Sequence, residues 1–226
     1  MGDKPVNYVS WFDAARVANW LTNGAAYSSS TETGAYTLNG ATSGNAVGRN
    51  AGATYYIPNN DQWYKAAFYK GGSTNAGYWD YATQSDTAPT AVTAGTTGNG
   101  SAGAAGNFAN WGLRAAWNSQ NGNVTTVGTN GRPSVYGAFD MGGNVSEWND
   151  LDGAAGSVRG FRGGDWGYVD PAPLSSSNND SSRVTSFEDN SVGFRLAAVP
   201  EPSTYAMALA GLACGGFPMW RRRKRA

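Results

Sequence analysis

Asp140 and Glu147 stand seven positions apart in the run Asp140-Met141-Gly142-Gly143-Asn144-Val145-Ser146-Glu147. Two carboxylates around a glycine pair suit a hard cation, because Ca2+ takes roughly six to eight oxygens, backbone carbonyls of irregular loops included. The same run also reads as a plain glycine turn with two exposed acids. With Asp165, the two acids could instead supply the carboxylate pair of a glycoside hydrolase, which needs two acids facing one bond. The remaining chemistry is limited by absence. The chain has no histidine, and its one cysteine, Cys214, lies in the C-terminal tail.

Charge narrows the partners further. Residues 1–198 carry 11 basic and 15 acidic groups, and Arg221, Arg222, Arg223, Lys224 and Arg225 supply the other basic ones. A mildly acidic body disfavours nucleic acid, since phosphate binding needs clustered Lys and Arg. Without cysteine the body has no disulfides, which leaves the compartment open.

The elements that must position these residues are few. The chain has 226 residues, a length suited to one domain, with 32 glycines, nine tryptophans and twelve tyrosines. Many glycines beside many aromatics predict a packed, loop-dominated domain, because disordered chains are poor in aromatics. Ser10 and Asp13 form a capping pair ahead of a helix with Trp11, Ala14, Ala18 and Leu21 on one face, Val17 beside them and Gly24 at its end. Tyr55-Tyr56-Ile57 reads as a short strand that Pro58 breaks. Asn59 with Gln62 caps a second helix carrying Trp63, Ala66 and Ala67 and reaching Lys70-Gly71. The stretches 25–54 and 83–106 read as loops, and loops this long in a compact domain imply ordering by ligands or ions.

In order along the chain come Val9-Ser10-Trp11-Phe12-Asp13-Ala14-Ala15, Tyr56-Ile57-Pro58-Asn59-Asn60-Asp61-Gln62-Trp63 and Ala109-Asn110-Trp111-Gly112. They are followed by Tyr136-Gly137-Ala138-Phe139-Asp140 through Glu147-Trp148, then Arg162-Gly163-Gly164-Asp165-Trp166 and Gly193-Phe194-Arg195. This series resembles the formylglycine-generating enzyme, or sulfatase-modifying factor, family, which includes the iron oxidases of ergothioneine synthesis. The resemblance implies an α+β fold, a variant of the C-type lectin fold with little regular secondary structure and long ordered loops. It covers roughly residues 5–197 and places the domain at 1–198. The family has further strands ahead of the segment matching Pro5 to Trp11, so the resemblance implies an N-terminally truncated domain.

What the family does catalytically does not transfer with the fold. Its copper enzymes hold the metal on two cysteines just beyond the Arg-Gly-Gly segment, and thiolate is the ligand that Cu(I) prefers. The matching stretch here, Trp166-Gly167-Tyr168-Val169-Asp170-Pro171-Ala172-Pro173, has no sulfur, and the iron relatives need histidines that this chain lacks. The expectation is a domain without copper or iron; the alternative is an oxidoreductase with an atypical metal site. The resemblance also implies structural calcium. One ion would use Asp140 and Glu147 side chains with Gly143 and Val145 carbonyls. A second would use Asn110 and the Trp111 carbonyl, helped from around Asn123 and Val124. Arg159, Arg162 and Arg195 are expected to tie loops to carboxylates and carbonyls. Asn144-Val145-Ser146 fits a glycosylation sequon but lies within the motif, where it reads as chance. The polar segment Asp165 to Glu188 occupies the family's groove and is expected to bind a peptide, glycan or matrix component.

The tail, residues 199–226, is a separate unit. Pro200-Glu201-Pro202 precedes an apolar run, 205–220, and then Arg221, Arg222 and Arg223. Sixteen residues interrupted by Gly211, Gly215, Gly216 and Pro218 are marginal for crossing a ~30 Å hydrocarbon core, and the basic cluster marks a cytoplasmic side. The three parts resemble a PEP-CTERM sorting signal. That implies transient membrane residence, recognition by an exosortase, removal of the tail, and delivery to the surface or extracellular matrix of a Gram-negative bacterium. No apolar N-terminal signal follows Met1. A start assigned too late in the reading frame is the expected explanation.

Overall fold

The computed structural model describes residues 2–73, 76–178 and 182–199. The tail positions Pro200, Glu201, Pro202, Arg221, Arg222 and Arg223, the 205–220 run and Cys214 lie outside the described residues.

Two helices form where the caps predict. Helix α1 spans Trp11–Thr22, and α2 spans Asn60–Phe68. In each, the cap side chain accepts the N3 amide while the N3 side chain reaches back: Ser10 with Asp13, Asn59 with Gln62. Reciprocal capping satisfies two otherwise orphaned donors. The buried side of α1 comprises Trp11, Phe12, Ala14, Ala15, Ala18 and Asn19, whereas Val17 is exposed and Leu21 half-buried. This face is turned relative to the predicted stripe because the 25–54 loop covers Asn19. The Asn19 amide donates to Thr31 O and accepts Tyr36 N–H. Helix α2 ends at Phe68, short of Lys70-Gly71, with Tyr69 extended at its cap.

The strands are short. β1 (Tyr55–Tyr56) pairs antiparallel with β8 (Ala197–Ala198), and β2 (Thr90–Ala91) runs parallel to β3 (Phe108–Ala109). The main sheet has the order β6-β5-β4-β7, from β4 (Ser146–Asn149), β5 (Val158–Arg162), β6 (Ser182–Val184) and β7 (Val192–Phe194). β4 is antiparallel to β5 and parallel to β7. All four β4 residues are buried, as suits a central strand covered on both faces. One core gathers Trp11, Phe12, Tyr36, Ile57, Trp148, Phe161 and Val192, and a smaller one gathers Trp63, Ala67, Phe68, Ala82 and Met141.

The long loops are held by the chain's own side chains. Asn23 donates to Ser30 O and Thr33 O, Arg16 pairs with Glu32, and Asn50 donates to Gly34 O. In the second loop Asn107 donates to Thr87 O and Ala88 O. Asn and Arg side chains thus replace the backbone ladder that loops lack.

Candidate functional site

The Asp140–Glu147 segment reaches β4 through a run of left-handed residues: Asp140 (φ 55°), Gly143 (φ 79°) and Asn144 (φ 69°). Gly143 is required there for a second reason, because a Cβ would sit 2.5 Å from the Asn110 carbonyl oxygen. That same carbonyl accepts the Asn144 N–H at 2.9 Å, and Gly143 N–H donates to Gly163 O. The segment is therefore clamped between the end of β3 and the end of β5.

A buried polar network fills the space beside it. Asn144 Oδ1 accepts Thr125 N–H at 2.9 Å and Asn110 Nδ2 at 3.1 Å. Thr125 Oγ1 donates to Asn130 Oδ1 at 2.7 Å, and Asn130 Nδ2 donates to Asp140 Oδ1 at 3.0 Å. Gly128 N–H completes the Asp140 carboxylate at Oδ2, 2.9 Å away. Asn144 is 1% exposed with its amide fully engaged, so the Asn144-Val145-Ser146 sequon is structural. Burial pushes the Asp140 carboxyl above its ordinary range, against the opposing bonds from Gly128 and Asn130.

Glu147 belongs to a different set of donors. Trp63 Nε1 donates to Oε2 at 2.7 Å, and Arg195 grips both oxygens through Nε and Nη2. Arg195 Nη2 also reaches the carbonyls of Phe139 and Asp140. Burial opposes the Arg195 charge, but Glu147 more than offsets it and holds the guanidinium above its ordinary range. Asp140, Val145, Glu147 and Arg195 line one cavity of about 280 Å³, walled by Val6, Val127, Phe139 and Phe194. Gly143 faces the Asn110 backbone instead.

The test of fit to calcium rests on oxygens. Ionised carboxylates offer about four acceptor sites each. Asp140 accepts Gly128 N–H and Asn130 Nδ2, while both Glu147 oxygens are held by the Arg195 guanidinium and one also by Trp63. At the second group, Asn110 is fully buried, and its Oδ1 has no hydrogen-bond partner while Nδ2 donates to Asn123 O at 2.9 Å. A buried acceptor without a donor is rare and costs roughly 1–3 kcal/mol, a deficit that a bound cation would remove. Trp111 is half-buried and donates Nε1 to Pro89 O. Among the described residues no three carboxylate, thiol or imidazole groups converge, so any cation here depends on amide and backbone oxygens. Asn110 thus offers a hard oxygen-seeking ion an open buried oxygen, whereas at the first group such an ion would compete with the Arg195 guanidinium for Glu147.

Sequence reasoning missed Thr125 and Asn130, which lie in a featureless polar loop with no spacing signal. It also missed a second carboxylate centre. Asp150 accepts Trp11 Nε1 at 2.6 Å, Tyr36 O–H at 2.6 Å and Arg159 Nε at 3.1 Å, all buried. Its place directly after β4 and the nearby Arg159 were the available hints. Arg162 donates to Asn60 Oδ1 and Asn178 O, so all three arginines tie loops as expected. Asp165 accepts Ser146 Oγ–H and Gly167 N–H. The adjoining groove segment is tied in by Trp166 O and Tyr168 O, which accept Leu113 and Gly112 N–H.

These features define a loop-rich α+β domain whose central glycine-asparagine segment is locked by carboxylate–arginine–tryptophan clusters. The chain belongs to the sulfatase-modifying factor family: residues 1–199 match the Sulfatase-modifying factor enzyme 1-like domain. Residues 198–224 match the PEP-CTERM protein-sorting motif, which indicates export and association with the cell envelope or surface and implies processing by an exosortase. Among solved structures, Treponema denticola variable protein 1 is similar in fold, with TM-score 0.54 and 21% identity, covering 88% of this chain and 72% of that one. CarF is similar too, with TM-score 0.51 and 21% identity over 88% of this chain and 69% of its own. Comparison with curated protein sequences returns no match.

Proposed function

We propose that this chain is an exported surface or matrix domain, stabilised by calcium and serving as a binding or structural module, with its tail removed after exosortase recognition. The observation that carries the calcium reading is the orphaned Oδ1 of buried Asn110. Asn110 Oδ1 and the Trp111 carbonyl would hold one ion; Asp140 and Glu147, with the Gly143 and Val145 carbonyls, would hold the other, the ion taking over from Arg195 part of the Glu147 carboxylate. Calcium supplies positive charge that cross-links loops and supplies no redox chemistry. The absence of histidine and of body cysteine from the sequence supports a module rather than a copper or iron oxidoreductase.

The test uses the full chain, stripped with chelator and then titrated. An ion that binds only the folded state stabilises it by about 2.7 kcal/mol at a hundredfold excess over Kd. The expected result is a melting temperature raised by calcium, with calcium and neither copper nor iron in the metal analysis. A melt that millimolar calcium leaves unmoved ends the calcium reading. Bound copper or iron with thiol-dependent oxygen consumption restores the oxidoreductase.

A further inference from the structure

We propose that four tyrosines gathered at the C-terminal end of α2 form a binding face for a neutral polysaccharide, an inference that rests on the surface-module reading. Tyr64, Tyr78, Tyr69 and Tyr136 make a continuous track. Consecutive ring centroids lie 5.0, 5.8 and 6.0 Å apart. Tyr78 is 45% exposed and Tyr136 56%. Tyr64 and Tyr69 are half-buried, Tyr64 against the smaller core, and the open rings of Tyr78 and Tyr136 carry the patch out to solvent, where exposed aromatics mark an interaction site.

The chemistry of the track selects its ligand. Sugar rings present apolar C–H faces that pack on aromatic faces and hydroxyls that exchange bonds with phenols. Tyr69 is fixed by its hydroxyl, which bonds to the Gly72 and Ser73 carbonyls. Within the described residues, no hydrogen bond occupies the hydroxyls of Tyr64, Tyr78 or Tyr136, so these remain to serve as donors and acceptors. Cations cover one face of each of the two inner rings, Lys65 Nζ 5.6 Å over the Tyr69 centroid and Arg162 5.4 Å over that of Tyr64, which leaves Tyr78 and Tyr136 to meet the ligand. Braced rings lose little freedom on binding.

Charge matching points to a neutral chain. Lys70 pairs with Asp86 at 3.2 Å, and Asp61 stands one helical turn before Lys65 on the same face. Carboxylates thus lie among the lysines of the face, and a polyanion would meet both signs. Position favours display. α2, roughly 13 Å long, separates the face from the β1–β8 pair, beside which Val199 bonds to Thr54 O at the start of the tail.

Affinity electrophoresis of the full chain tests this, in gels cast with hydroxyethylcellulose, galactomannan or dextran, and with polygalacturonate as the polyanion. Retardation by a neutral polymer is expected. Tyr78→Ala and Tyr136→Ala should each weaken it about fivefold, the order expected for losing one aromatic contact. Tyr27→Ala, at an exposed tyrosine outside the track, should leave it unchanged. Unchanged melting temperatures in these variants would show that folding is intact. No retardation by neutral polymers, retardation by polygalacturonate alone, or equal effects of all three variants would overturn the proposal. Running the gels with calcium and with chelator separates the two readings. Intact retardation in a protein whose melt ignores calcium sinks the calcium site and spares this one, and the converse result spares calcium alone.

Discussion

Arg195 and Glu147, 48 positions apart in sequence, meet through Nε and Nη2 at 2.5 Å from separate carboxylate oxygens. The pair joins the residue after β7 to the middle of β4, and Trp63 Nε1 adds α2 to the same carboxylate. Asp150 repeats the design one turn of chain later, with Trp11 from α1 and Arg159 from β5. Each helix is thus joined to the sheet by a tryptophan N–H on a carboxylate that an arginine neutralises. In a domain whose strands run only two to five residues, such links do the work that long ladders do elsewhere.

Removing one partner of a buried pair strands the other charge. Arg195→Met is expected to cost about 3 kcal/mol and to lower the melting temperature by roughly 6–12 °C. The double variant Arg195→Met/Glu147→Leu should recover part of that loss. Thermal melts of the three proteins measure it, and additive losses would show that the pair is not coupled.

Gly143→Ala combines a disfavoured φ of 79° with a Cβ placed 2.5 Å from Asn110 O. Left-handed strain alone costs on the order of 1–3 kcal/mol, and the clash adds to it. Gly153 also has positive φ, at 84°, but open space around it, so Gly153→Ala should cost less. Urea midpoints rank the two; equal midpoints would refute the close-approach argument.

Asn110→Ala removes the orphaned oxygen together with the bond to Asn123 O. The calcium-dependent rise in melting temperature should shrink, because one of two ions loses its side-chain ligand. Asp140→Asn combined with Asn110→Ala should abolish it. Calcium titrations followed by melting give the answer, and a full response in the double variant would place the ion elsewhere.

Burial raises the Asp150 and Asp165 carboxyls above their ordinary values. The folded chain then holds protons that the unfolded chain has released, so these groups lose stability as pH climbs from the ordinary carboxylate range to their raised values. Mild acidification should leave the metal-free protein no less stable: the urea midpoint at pH 5 should equal or exceed that at pH 7. A steep fall by pH 5 would mean that the ionised forms dominate the balance.

Local signals were legible where chemistry and spacing are local. Ser10 with Asp13 and Asn59 with Gln62 fixed both helix starts, since a capping pair involves only residues three apart. The motif segments and the Pro-Glu-Pro tail marked the family and the sorting signal, because both are contiguous strings. The lack of histidine and of body cysteine limited metal chemistry without any geometry. The partners of Glu147 and Asp150, the Thr125–Asn130 bridge to Asp140 and the tyrosine track were invisible, since irregular loops bring these residues together at separations that follow no helix or strand period. Even the buried side of α1 was settled by the loop that crosses it. In a chain with so little repeating backbone, hydrophobic periodicity carries little information, and side chain to backbone bonds across long separations decide which residues meet.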